Sequence, residues 1–178
     1  DDCLSELYFF HDKPLSLKSL DNNDRVVYIK SFSKIFMPGL RLAYTLLPDR
    51  LLAEMLAAKH ATDISSAGIT QRSFDFYLRE GLWEKHLKKM RKLFKKKFEI
   101  MKESIEKYMP DSVDLKFEVK GGLYFWLKLP KDYDSEELYK KALKKGVAFL
   151  PASLFYHNNK KSSELRLSFA AVSDQEIE

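Results

Sequence analysis

Between Ser31 and Tyr44 the chain reads SFSKIFMPGLRLAY, which sets two hydroxyls, a lysine, a Pro-Gly pair and an arginine between two apolar runs. A lysine amine attacks a carbonyl when it is held in a fixed, partly desolvated place, and a lysine near a strand end meets that condition. Lys34 is the candidate. Ser31, Ser33, the Gly39 backbone and Arg41 lie within a few residues of it and supply the donors that an anion such as a phosphate needs. The same spacing also suits a turn with capping serines and a surface lysine, because Ser and Gly are ordinary turn residues. Near the other end, Arg166 alternates with Leu165 and Leu167 in ELRLSFA, which on residues alone reads as a salt-bridging arginine at a sheet edge.

The elements that must position these groups are legible from periodicity. RVVYIK (25–30) has the β-branched and aromatic content of a buried strand, as does LRLAYTLL (40–47), so the Lys34 segment connects two strands. RLLAEMLAAKHA reads as a helix, and GITQRSFDFYLREG as another ending near Gly81. Trp83, Leu87, Met90, Phe94, Phe98, Met101, Ile105 and Tyr108 then recur every three or four residues. They predict one long helix ended by Pro110, spanning roughly 40 Å and long enough to tie two domains together. Its other face carries Lys85, Lys88, Lys89, Arg91, Lys92, Lys95, Lys96 and Lys97. The aromatic residues stay on the apolar stripe and do not interleave with this charge, so the reading is a solvated face and not a nucleic-acid surface. Beyond Pro110, VDLKFEVKGGLYFWLKLP predicts two strands about the Gly121-Gly122 turn. Asp134 and Glu137 cap a helix ending at Gly146, and VAFL and ELRLSFA supply two more short strands.

Composition narrows the class. The chain has 178 residues, 45% of them hydrophobic, which suffices for one domain or two small ones with a real core. A single cysteine, Cys3, excludes an internal disulfide framework. There is no long uncharged apolar run to span a membrane, and a cytoplasmic setting is expected. The net charge of +5 comes largely from the lysine-rich helix. Both ends read as cut: DDCLSEL carries no initiator Met, and Ser173 with Glu176 opens a capped helix just before the chain stops.

The segment SFSKIFMPGLRLAY resembles the cofactor-lysine segment of the fold-type I pyridoxal-phosphate (PLP) enzymes, the class I/II aminotransferases. EGLWEKHLKKMRKLFKKK resembles their interdomain helix, GGLYFWLKLP their small-domain hairpin, GVAFLPASLFY the segment that folds back toward the active site, and LRLSFA the strand bearing the carboxylate-binding arginine. The resemblance implies an α/β chain: the C-terminal part of a fold-type I large domain (1–72), then the interdomain helix and a small α+β domain (73–178). It also implies that PLP joins Lys34 as an internal aldimine, that Ser31, Ser33 and Arg41 hold its phosphate, and that Arg166 binds a substrate α-carboxylate. Asp1 would pair with the pyridine nitrogen and keep it protonated, strengthening the ring as an electron sink. No metal is implied.

This sequence departs from the family where a tyrosine usually donates to the cofactor's phenolic oxygen: those positions are Cys3 and Leu4. Ala43 and Ala152 stand where glycine is common. The family's glycine-rich phosphate loop, ring-stacking aromatic residue and asparagine belong to a preceding half that this chain lacks. Two functions follow from the resemblance. One is the amino-acid- or amine-sensing domain of a GntR/MocR-type transcriptional regulator, a homodimer touching DNA only through a domain outside this chain. The other is a free-standing transaminase of the aminoadipate or aromatic type. A structural domain that has lost PLP is the third, plainer alternative.

Overall fold

The run ahead of Lys34 does form a strand, but a shorter one than its composition suggests. In the computed structural model, which describes residues 1–10, 13–158 and 160–177, β1 is Tyr28–Ser31 and β2 is Ala43–Leu46. They pair antiparallel with Tyr28 opposite Leu46 and Ser31 opposite Ala43. The expectation of buried strands fails in an instructive way: every β2 residue is exposed, and the one buried residue of β1 is Lys30. A two-stranded ribbon cannot cover both of its own faces, so Ile29, Tyr44 and Leu46 stay open to solvent.

Two compact units divide the chain at residues 92 and 93. The first holds β1 and β2, followed by α1 (Asp49–Asp63), α2 (Gly68–Arg79) and the start of α3 (Leu82–Tyr108). Its core is largely aromatic. Phe32 packs on Phe74 with ring centroids 4.4 Å apart and meets Trp83 edge-on at 5.6 Å, while Leu7, Ile35 and Leu87 are fully buried around them. Edge-to-face pairs of this kind add to the burial of large rings. By contrast α1 buries no side chain, and Leu52, Met55 and Leu56 are exposed on it.

The second unit carries a four-stranded antiparallel sheet in the order β3-β4-β6-β5, where β3 is Asp114–Leu115, β4 Tyr124–Lys128, β5 Leu150–Pro151 and β6 Glu164–Ser168. Two expected strands shrink to two residues each. In β3, pairing stops after Leu115 apart from a Lys116 N–H donated to the Trp126 carbonyl at 3.1 Å, because Phe117, Glu118 and Lys120 are exposed and gain nothing by alternating. Helix α4 (Ser135–Leu143) starts as expected, with the Asp134 carboxylate accepting from the Glu136 N–H. It ends before Gly146, whose φ of +81° turns the chain away. In α5 (Asp174–Ile177) the Ser173 hydroxyl accepts from Glu176 N–H while the Glu176 carboxylate accepts from Ser173 N–H, the reciprocal capping box that the spacing predicts.

The long helix is confirmed, with Leu82 and Tyr108 as its ends. Leu87, Phe98, Met101 and Ile105 are buried, and Phe98 stacks on Phe125 at 5.2 Å. Tyr108 is exposed, at the frayed end of the stripe. The cationic face is less purely solvated than expected. Arg91 Nε donates to the Glu6 carbonyl at 2.8 Å and its guanidinium lies 4.4 Å from the centre of the Tyr8 ring. Lys96 pairs with Asp174, and Lys97 donates to the Val172 carbonyl, so these two hold the segment leading into α5. An apolar cleft of about 860 Å³ lies in this unit, lined by Met101, Ile105, Leu127, Phe149 and Ile177 among others. Among the described residues no helix is long and apolar enough to cross a membrane.

Candidate functional site

Lys34 sits in a single helical turn, closed by the Phe36 N–H donating to the Phe32 carbonyl at 3.0 Å. The turn is anchored on both sides of the lysine. Phe32 and Ile35 point inward and are buried, and Phe36 lies against Tyr77, Trp83 and His86 at ring distances of 4.9, 5.9 and 5.1 Å. His86 Nε2 donates to the Ile35 carbonyl at 2.7 Å, fixing the residue next to the lysine. Lys34 is left exposed on the outer side, with no ion-pair or hydrogen-bond partner among the described residues. A reactive side chain on a turn whose flanking residues are held by Tyr77, Trp83 and His86 is the arrangement that an oriented nucleophile requires.

The candidate anion donors gather at the same end of the hairpin. Ser31 closes β1, and its hydroxyl accepts from the Ser33 N–H at 3.3 Å. The Phe32 N–H donates to the Leu42 carbonyl at 3.2 Å, which brings the Ser31–Ser33 segment beside the Arg41–Ala43 segment. Arg41 is exposed, without a carboxylate partner among the described residues, and its backbone lies at φ +50°. That left-handed conformation costs a residue with a Cβ about 1 kcal/mol. It turns the chain from the 3-10 turn Pro38–Leu40 into β2.

The N-terminal acids divide the work between them. Asp1 is exposed and lines a cavity of about 240 Å³ together with Asp2, Ser16, Lys18 and Tyr28. Asp2 is saturated. Its carboxylate accepts from Tyr28 hydroxyl at 2.5 Å and from Ser5 N–H at 3.1 Å, its N–H donates to the Ile29 carbonyl, and Lys30 Nζ lies 3.6 Å away. Burial pushes the Asp2 carboxyl up, but the hydrogen bonds from Ser5 and Tyr28 and the Lys30 charge outweigh it and hold it below the usual range. Burial and the facing carboxylate push the Tyr28 phenol well above its ordinary value. Glu6 behaves like Asp2. Burial raises it, and Lys13 at 2.6 Å with Lys30 at 3.4 Å brings it down overall.

This part-buried Tyr28–Asp2–Lys30–Glu6 network, with Lys30 at its buried centre, was not among the expected site residues. Strand alternation carries the signal: Tyr28 and Lys30 share one face of β1, and the acids two and six residues from the start are the partners a buried lysine needs. Cys3 and Leu4, where the family tyrosine is missing, are half-buried, and the cysteine is a free thiol.

Arg166 belongs to the second unit. It lies in β6 with Trp126 of β4 on one side and Leu150 of β5 on the other, so it is inside the sheet and not at its edge. The salt bridge that composition suggested is also missing: among the described residues no carboxylate pairs with it. Its guanidinium is flanked by two rings instead, 4.1 Å from the Tyr124 centroid and 4.8 Å from that of Phe155. Among the described residues no group of acids, histidines and cysteines could hold a metal ion.

The family model for aminotransferase class I and II matches residues 7–178. The chain belongs to that family. Among its relatives, the 2-aminoadipate transaminase of Thermus thermophilus is 32% identical over 99% of this chain and 45% of its own length. The uncharacterized HTH-type transcriptional regulator YdeL of Bacillus subtilis is also 32% identical, over 99% of this chain and 38% of its own length. The crystal structure of Pyrococcus horikoshii kynurenine aminotransferase in complex with PMP superposes with a TM-score of 0.94 at 33% identity, covering 99% of this chain and 43% of that one. The fold is thus part of a fold-type I aminotransferase, and the chain spans less than half the length of these relatives.

Proposed function

We propose that this chain is the PLP-binding, aminotransferase-like part of a GntR/MocR-type regulator that senses an amino acid or amine. The observation that carries the reading is Lys34: exposed, without an acidic partner among the described residues, and fixed on an aromatic-anchored turn beside Ser31, Ser33 and Arg41. When bound, PLP supplies an aldehyde for an amine to join and a pyridine ring that accepts an electron pair. Lys34 would hold the aldehyde carbon, and the Ser31 and Ser33 hydroxyls with the Arg41 guanidinium would hold the phosphate. Asp1 would keep the ring nitrogen protonated; its neighbour Asp2 is already saturated by protein donors, which supports Asp1 for that role. Arg166 would take the carboxylate of the amino acid, its donors having no acceptor among the described residues.

The domains would divide at residues 72 and 73. A cytoplasmic homodimer would complete the site, and DNA would be met only by a domain outside this chain. The regulator is preferred because Cys3 and Leu4 cannot provide a phenolic donor, so the electronics of bound cofactor are left untuned for fast turnover. The free-standing transaminase is the second reading, supported by the likeness to the 2-aminoadipate enzyme.

The test uses the full-length parent. Borohydride reduction with PLP followed by peptide mapping should fix the cofactor at Lys34, and K34A should abolish both the label and the visible absorption band. Labelling that survives K34A would sink the assignment. Turnover on the order of 1 to 1,000 per second with amino acids and 2-oxoacids would select the enzyme over the regulator.

A further inference from the structure

Glu164 and Arg166 occupy alternate positions of β6 and so project from the same face of the sheet, with Cα atoms about 7 Å apart. Both side chains are long enough to meet across that gap, and a carboxylate within reach of a guanidinium can pair with it. They do not pair here. Both oxygens of the Glu164 carboxylate accept from Lys116 Nζ at 2.8 Å, and one also accepts from Trp126 Nε1 at 2.7 Å and from the Tyr156 hydroxyl at 3.4 Å. Lys116 is itself set beside Trp126 by its own N–H, which donates to the Trp126 carbonyl. The carboxylate is largely buried, its side chain 13% exposed, so few of its lone pairs are left for another donor.

We propose that Lys116, Trp126 and Tyr156 withhold Glu164 from Arg166, so that the guanidinium stays available for the carboxylate of an incoming ligand. The proposal rests on the reading of Arg166 given above, and it adds positioning residues that act through Glu164 without touching the ligand. Tyr124 and Phe155 complete the arrangement. They flank the guanidinium, and Phe155 meets Trp126 edge-on at 5.4 Å, so one aromatic frame joins the arginine to the group that restrains its rival. Burial pushes the Glu164 carboxyl up, yet the Lys116 and Trp126 hydrogen bonds lower it overall, so it remains a charged competitor that must be held elsewhere. Loss of the restraint would let Glu164 pair with Arg166 in place of the ligand's carboxylate.

The experiment uses the full-length parent uniformly labelled with ¹⁵N, the Arg166 Nε–H signal being assigned by its loss in R166K. Without ligand, K116M should shift that signal and slow its hydrogen exchange about tenfold as Glu164 swings onto Arg166. W126F should do so to a lesser degree, and K116M/E164Q should return the signal to its original state. No change in K116M overturns the proposal, as does a change that persists in K116M/E164Q, which would mark Lys116 as merely structural. A second arm titrates 3-phenylpropionate, a carboxylate with no amine. K116M should weaken its effect on the Arg166 signal about tenfold and K116M/E164Q should restore it. If R166K binds the probe as well as the unaltered chain, by shifts elsewhere in β4 and β6, the carboxylate reading of Arg166 fails whatever the ligand-free spectra show.

Discussion

Replacing Lys30 with Met tests how much the part-buried network around β1 stabilises the first unit. The methionine keeps most of the stem's volume and deletes the charge, so packing changes little. Truncating one partner of a buried ion pair costs about 3–5 kcal/mol when the remaining charge has nothing else. Here the remaining acids are not abandoned: Asp2 keeps Tyr28 and the Ser5 N–H, and Glu6 keeps Lys13 and Arg91. What disappears is the Lys30 Nζ hydrogen bond to the Ser5 hydroxyl at 2.9 Å and attraction across 3.4 and 3.6 Å. A charge-assisted hydrogen bond contributes about 1.5–3 kcal/mol, so K30M should cost about 2 kcal/mol at pH 7. The sign with pH follows from Asp2 and Glu6, whose carboxyls lie below their ordinary values in the fold. Their stabilisation is present above the unfolded pKa, about 4, and is lost as pH falls through the lower folded values. Below that range Lys30 would be a buried charge facing neutral acids, so the penalty of K30M should shrink or reverse. Urea unfolding of W126F and W126F/K30M, followed by the emission of Trp83 in the first unit, measures this at pH 7 and pH 3. An unaltered midpoint at pH 7, or an equal penalty at both pH values, would refute the argument.

Two further outcomes check local geometry. G146A should lower stability by about 1 kcal/mol, because φ is +81° there and no atom lies within 4 Å of the added Cβ; G39A, equally open but at an ordinary φ, should be neutral in the same thermal melts. D21A should speed hydrogen exchange at Arg25 and Val26 N–H about tenfold relative to the rest of the first unit, since both amides donate to the Asp21 carboxylate, at 2.9 and 2.8 Å, and exchange rates unaltered by D21A would show the loop to be held otherwise.

Elements with strong local signals were legible in the sequence, and those set by partners were not. The 27-residue helix α3, the Asp134 cap and the Ser173–Glu176 box each depend on residues a few positions apart, which a linear reading captures. Burial of β1 and β2 was misjudged because an apolar strand is buried only where another layer covers it, and composition carries no information about that layer. The candidate site divides the same way. Lys34 and its anion donors are contiguous and could be read together, whereas the His86 bond to Ile35 and the Glu164 restraint join residues 51 and 48 positions apart. A histidine in a lysine-rich helix and a glutamate at the start of a strand look ordinary until the fold brings them to their partners.

The arrangement of cations is what separates a site from a scaffold in this chain. A lysine or arginine taken partly out of water loses solvation that an acid or a carbonyl must replace, and most of the semi-buried cations here obey that rule. Lys30 faces Asp2 and Glu6, Arg91 faces Glu6, Lys116 faces Glu164, and Lys97 faces the Ala170 and Val172 carbonyls. Arg166 does not obey it among the described residues, though the chain has 26 acids and the guanidinium lies between two aromatic rings; Lys34 and Arg41 are exposed, so water meets their solvation and the rule does not reach them. Arg166 is clasped inside the sheet, between β4 and β5 and between the Tyr124 and Phe155 rings, where its side chain has little freedom to reach a distant acid. A position this constrained with no internal counter-charge favours an external anion, and the carboxylate nearest in sequence to Arg166 is the one that three other donors hold aside.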